Sequence, residues 1–158
     1  PKPVVAAGRV FTGGEAGKVA ALDTATGAIV WSQKATDERH ISGLGADETA
    51  VYVATPTGEI RAYSMEGKIR WRFEVGKELL DMTPYRRAVR TATGGPTPMG
   101  DRVAVGAGDG HLHMLDRRTG GEIDRWWFGS PISALPAVGG DRLVVGSFDG
   151  LVGCFEIR

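Results

Sequence analysis

Residues Ala21–Trp31 read ALDTATGAIVW, and the offsets within this phrase decide the fold. An apolar run ends on Asp23, whose short side chain can accept backbone N–H groups two and three residues ahead. Thr26-Gly27 closes the turn, Gly27 being free to take a positive φ. A second apolar run then leads to Trp31. The reading is strand, tight turn, strand, with a large flat ring on the outer strand placed to cover a neighbouring surface.

The unit recurs. GRVFTGG starts at Gly8, TAVYVAT at Thr49, DRVAVGA at Asp101 and DRLVVGS at Asp141. Taking Arg9, Ala50, Arg102 and Arg142 as the matched position, the offsets are 41, 52 and 40 residues. Pro3, Pro96 and Pro136 each precede that position by six, with Leu44 in the second copy. A period near 40 with glycine-punctuated strands predicts a propeller or another repeat array. Each copy divides into four short strands. In the first they are expected over residues 3–7, 9–13, 18–23 and 28–34. The turns between the second and third strands read GGEAGK, TPTGE, GAGDGH and GSFDG, and Asp-Gly at 109–110 and 149–150 is a strong hairpin signal. RVAVGA and RLVVGS are near-continuous apolar runs, as expected of strands covered on both faces.

The phrase resembles the tryptophan-docking motif of the PQQ-dehydrogenase-like β-propeller repeats (BamB-like, WD40-like), written Ala-x-Asp-x-x-Thr-Gly-x-x-x-Trp. The first copy matches at Ala21, Asp23, Thr26, Gly27 and Trp31. The second, with Ala62, Ser64, Gly67 and Trp71, is one residue shorter and lacks the Asp and Thr. The third keeps Asp116, Thr119 and Gly120, but Met114 replaces the Ala and Asp124 stands at the Trp position. Trp126 and Trp127 follow two and three residues later. The fourth stops at Cys154-Phe155-Glu156, before the turn. The resemblance implies an all-β propeller of four-stranded antiparallel blades: about 3–36, 40–76, 94–129 and 131–158, with an insert at about 77–93. The last blade lacks its outer strand.

Such rings close with seven or eight blades in the proteins resembled, so this segment is expected to be half or part of a larger ring. Its two end flanks, being apolar, need covering. The closing GLVGCFEIR reads as a last strand. Its missing neighbour is expected from sequence before Pro1, from a protein partner, or from a second copy completing the ring. Closure of four blades alone is the less favoured alternative, because it needs steep angles between sheets.

The 158 residues are 42% hydrophobic and 24% charged with a formal net charge of +0, so no strong field favours nucleic acid or anionic membrane. No apolar run approaches the length of a membrane-spanning helix. Glycine numbers 24, about twice its usual share, in keeping with many tight turns. Asn is absent and Cys154 is the single cysteine, so there is no N-linked glycosylation acceptor and no internal disulfide. The chain opens at Pro1, as expected of a processed or trimmed N-terminus.

No cluster of side chains reads as catalytic. The resemblance to dehydrogenases implies a quinone and calcium held by acidic, Asn and vicinal Cys residues, and none of these carries over. No cofactor, metal or catalytic residue is therefore assigned. His111 and His113 share one face of a strand, and such pairs can bind zinc or copper. They align with Lys18 and Glu59, and with Ala20 and Arg61, and no third ligand stands beside them. A structural role is preferred, as it is for His40. Thr83-Pro84 reads as a helix start, placing Tyr85, Arg86, Arg87 and Arg90 on a face loop where Arg86 and Arg90 could grip an anion. Trp126, Trp127 and Phe128 are expected between blades, the less favoured alternative being that one ring is exposed for a partner. The functional expectation is a non-catalytic propeller serving as a protein-interaction scaffold or assembly module. The alternatives are a fragment of a quinone-dependent enzyme and a ligand sensor. The resemblance alone suggests an extracytoplasmic setting.

Overall fold

In the computed structural model, which describes residues 1–80 and 91–157, strands of three to six residues pair into four antiparallel meanders. The first comprises β1 (Val4–Ala6), β2 (Arg9–Gly13), β3 (Lys18–Asp23) and β4 (Ile29–Lys34). The second comprises β5 (Gly43–Ala46), β6 (Ala50–Ala54), β7 (Glu59–Ser64) and β8 (Ile69–Glu74). The third comprises β9 (Pro96–Met99), β10 (Arg102–Gly106), β11 (His111–Asp116) and β12 (Glu122–Trp127). The fourth has three strands among the described residues: β13 (Ala137–Gly139), β14 (Arg142–Gly146) and β15 (Val152–Glu156). Among the described residues one 3-10 turn, Glu15–Gly17, interrupts the strands. The chain is an all-β propeller segment, an open partial ring whose inner strands β1, β5, β9 and β13 touch in that order.

Strand alternation builds the core. Successive side chains of a strand point to opposite faces, so a sheet between two others must be apolar on both. In β6, Val51 and Val53 join Phe11, Val19 and Tyr63 between the first and second sheets. Tyr52 and Ala54 point the other way, to Val103, Val105 and Leu115 between the second and third. Ala104 of β10 completes the alternation, packing with Leu112, Ile132 and Leu143 between the third and fourth. The end sheets depart from the expectation that every such strand is covered twice. Leu143 and Val145 of β14 are buried, but Val144 between them is 38% exposed, because no sheet of the described residues packs on that face.

The outer hairpins share one irregularity. A register shift falls between Ala21 and Leu22, between Ala62 and Tyr63, and between Met114 and Leu115. Each shift sits one residue past the position that opposes Trp31, Trp71 or Asp124 across the ladder. A bulge here bends the outer strand and re-aims its side chain.

Candidate functional site

The turns of the outer hairpins join one blade to the next. Asp23 Oδ1 accepts from Ala25 N, Thr26 N and the Thr26 hydroxyl at 3.0, 2.8 and 2.9 Å. Asp116 repeats the pattern with Arg118 N, Thr119 N and the Thr119 hydroxyl at 3.0, 2.7 and 2.8 Å. These bonds from Thr26 and Thr119 hold both carboxyls below the usual carboxylate range. Where the second copy lacks the Asp, Ser64 Oγ accepts more weakly from Glu66 N and Lys68 N, at 3.2 and 3.3 Å.

Trp31 and Trp71 each cross to the turn of the following blade. Trp31 Nε1–H donates to the Met65 carbonyl at 2.7 Å, an oxygen that also accepts from Arg9, and its ring stacks on Tyr63 at 6.0 Å. Trp71 Nε1–H donates to the Arg117 carbonyl at 2.9 Å and packs against Tyr52 at 5.8 Å. A Cβ on Gly67 would stand 2.8 Å from Trp31, and one on Gly120 2.5 Å from Trp71. Gly27 has no heavy atom within 4 Å of the same point, since no described residue packs over it. Ala21 and Ala62 are fully buried beneath the outer strands that carry these rings. In the third blade Met114 is buried and Asp124 exposed. Trp126 and Phe128 pack on Phe155, at 5.1 and 6.0 Å, while Trp127 is left 58% exposed.

Two clefts open between successive blades at equivalent places. The first, about 360 Å³, lies between the end of β4 and the start of β7; Thr57, Glu59 and Arg61 line it. There Arg61 donates to Glu59 Oε2 at 2.6 Å, a permanent cation against a carboxylate. The second, about 500 Å³, lies between the end of β8 and the start of β11. The positions of Thr57, Glu59 and Arg61 are taken there by Asp109, His111 and His113.

In this second cleft His113 is held at both ring nitrogens. Nδ1 lies 2.6 Å from Glu122 Oε1 on the neighbouring β12, and Nε2 lies 3.0 Å from Asp109 Oδ2. Burial disfavours the charged ring, but the bonds to Asp109 and Glu122 outweigh it and hold the imidazole pKa above its ordinary value. Burial likewise opposes the Asp109 charge. His113, His111 N–H and Gly76 N–H, the last at 2.7 Å, overcome that and keep the carboxyl below its usual range. Phe73 meets the His113 ring edge-on at 5.4 Å. His111 is a quarter exposed, packs on Trp127 at 4.8 Å, and sets Nδ1 3.6 Å from Asp109 Oδ1.

The sequence shows no third ligand beside these histidines; the fold brings carboxylates to His113. His113 is 3% exposed, and the hairpin turn delivers Asp109 and the next strand delivers Glu122. Asp109-Gly110 is legible only as a turn signal, yet the spacing Asp-Gly-His-x-His already places the carboxylate one tight turn from both rings. Glu122 required the β11–β12 register. His40 is exposed in the loop before β5. Tyr85, Arg86, Arg87 and Arg90 lie outside the described residues.

Comparison with known proteins fits this architecture. The family model described as outer membrane protein assembly factor BamB matches residues 1–158. The outer membrane protein assembly factor BamB of Legionella pneumophila (strain Paris) is 24% identical over 187 residues, covering 95% of this chain and 49% of that protein. The crystal structure of BamB from Moraxella catarrhalis superposes with a TM-score of 0.77 at 19% identity, over 98% of this chain and 45% of that one. A quinohemoprotein alcohol dehydrogenase from Comamonas testosteroni reaches 0.73 at 17% identity, over 92% and 28%. At these identities the two solved structures speak for the fold. The chain spans at most about half the length of the curated relatives it matches. It belongs to the BamB family of outer membrane protein assembly factors.

Proposed function

We propose that the chain supplies an arc of a propeller ring completed by further blades of the same kind, and that the ring is a non-catalytic scaffold for protein–protein contact. One observation carries the ring. Phe11, Tyr52, Ala104 and Val144 occupy the same repeat position. The first three are fully buried under the following sheet, and Val144 is 38% exposed. Val152 of β15, paired with Gly146, is 67% exposed, and Val5 on the opposite end sheet is 68% exposed. Apolar positions built to be covered call for a neighbour with the same repeat. Membership in a family described as assembly factors supports the scaffold reading.

A dehydrogenase reading asks for residues that could hold a quinone and calcium. The chain has no Asn, and Cys154 is a single exposed thiol on β15, so it offers neither the Asn nor the vicinal Cys donors implied for that group. The test is thermal unfolding with PQQ and calcium against calcium alone. No added shift is expected from the quinone; a clear upward shift that needs both overturns the scaffold reading. Ring completion is read separately by hydrogen exchange. Fast exchange along β15 and on the β1 edge of the isolated chain is expected. A monomer with both flanks protected, a self-closed four-bladed ring, overturns it.

A further inference from the structure

Asp109, His111 and His113 bring a carboxylate and two imidazole nitrogens within 4.8 Å of one another, at the wall of the cleft between the second and third blades. We propose that these three side chains form a binding site for a divalent cation of the zinc class. In this site Glu122 is the outer-shell acceptor that orients His113. The site is independent of the scaffold reading above.

Four observations carry it. First, two imidazoles and one carboxylate are a donor set suited to zinc and its borderline neighbours rather than to magnesium or calcium. Second, the spacing is close to what is required. Donors at ~2.0–2.1 Å around a tetrahedral ion stand about 3.3 Å apart, and Asp109 Oδ1 lies 3.3 Å from His113 Nε2 and 3.6 Å from His111 Nδ1. Third, His111 Nδ1 is buried and has no hydrogen-bond partner. A purely structural ion pair between His113 and Asp109 leaves that nitrogen unsatisfied, whereas a cation bound beside Asp109 satisfies it. Fourth, Glu122 accepts from His113 Nδ1 at 2.6 Å. This is the carboxylate–histidine arrangement that fixes the tautomer with Nε2 facing a metal.

The equivalent cleft one blade earlier sharpens the contrast. There Arg61 fills the place of His113 and pairs with Glu59 at 2.6 Å. A guanidinium is a fixed cation and cannot ligate. The third blade keeps the carboxylate beside the cation position but installs groups able to exchange a proton for a metal. Binding forms the bond from His113 Nε2 to the ion and releases the Nε2 proton to solvent. Three protein donors leave one position facing the cleft, where Trp127 and Arg125 stand.

The test uses the full chain, free of any affinity tag, in a Cys154→Ser background so that the exposed thiol cannot contribute. Zinc binding is followed by equilibrium dialysis and calorimetry, and coordination by the visible spectrum of the cobalt-loaded protein. One equivalent is expected, with tetrahedral cobalt bands and proton release. His111→Gln removes a ligand at a partly exposed position and should weaken zinc at least ~tenfold while leaving the metal-free melting temperature unchanged. Glu122→Gln should weaken it about ten- to a hundredfold, and His40→Ala should have no effect. Failure of zinc and cobalt to bind overturns the proposal. So does binding that survives both His111→Gln and Glu122→Gln.

Discussion

A glycine in the outer hairpin turn has two separable reasons to be there, and the copies isolate them. Gly27 and Gly120 have φ of +72° and +75°. Gly27 faces open space, so Gly27→Ala should cost only the left-handed backbone penalty, about 1–2 kcal/mol. At Gly120 the new methyl would also meet the Trp71 ring at 2.5 Å. Gly120→Ala should therefore lose that penalty plus an overpacking cost of about 1–3 kcal/mol. Denaturant midpoints of the two variants check this, and equal losses would mean that Trp71 does not rest on Gly120. The turn, the Asp caps and the positive φ were legible in the Asp-x-x-Thr-Gly spacing. That the glycine is also a floor for another blade's tryptophan was not, because the ring arrives from residues about 50 positions away.

The inter-blade bond is the element-scale joint. Trp71 joins β8 to the Arg117 turn by one hydrogen bond and by ring packing on Tyr52. Trp71→Ala should destabilise the chain by about 3–5 kcal/mol. Trp71→Phe, which keeps most of the apolar area and loses the N–H donor, should cost less; urea unfolding separates them. The third blade shows how an outer strand changes when the motif is lost. Met114 replaces the small Ala beneath the ring, Asp124 replaces the ring, and Trp126 with Phe128 take up packing on Phe155 nearer the other end of β12. The displaced tryptophans were visible in sequence. Their division into two packed aromatics and an exposed Trp127 was settled by the alternation of β12 against a three-stranded neighbour.

At the scale of the molecule, the open flanks govern association. Val144 and Val152 sit on the outward face of the last sheet, and Lys at both positions should leave the stability of the isolated chain nearly unchanged, since surface substitutions of this kind cost within ~0.5 kcal/mol. Light scattering should give about twice the chain mass for the original protein if a second copy covers the flank, and one chain mass for the doubly substituted protein. Association that persists in the Val144→Lys, Val152→Lys protein would place the contact on another surface. The repeat length and the apolar strands made the ring readable before any coordinates. Asp109, His111 and His113 lie within one short stretch, but the contact of His113 with Glu122 was not readable, because it depends on the β11–β12 register, which no local pattern encodes.

The residues alone determined a forty-residue unit, its four strands and its turn chemistry, because those rest on period-two alternation, glycine conformational freedom and Asx capping, all of which act within a few positions. Tertiary structure decided which faces are covered, where each tryptophan lands, and that one cleft holds a buried imidazole between two carboxylates where its twin holds an arginine. These depend on how successive sheets fan and stack, and therefore on contacts between residues one whole repeat apart.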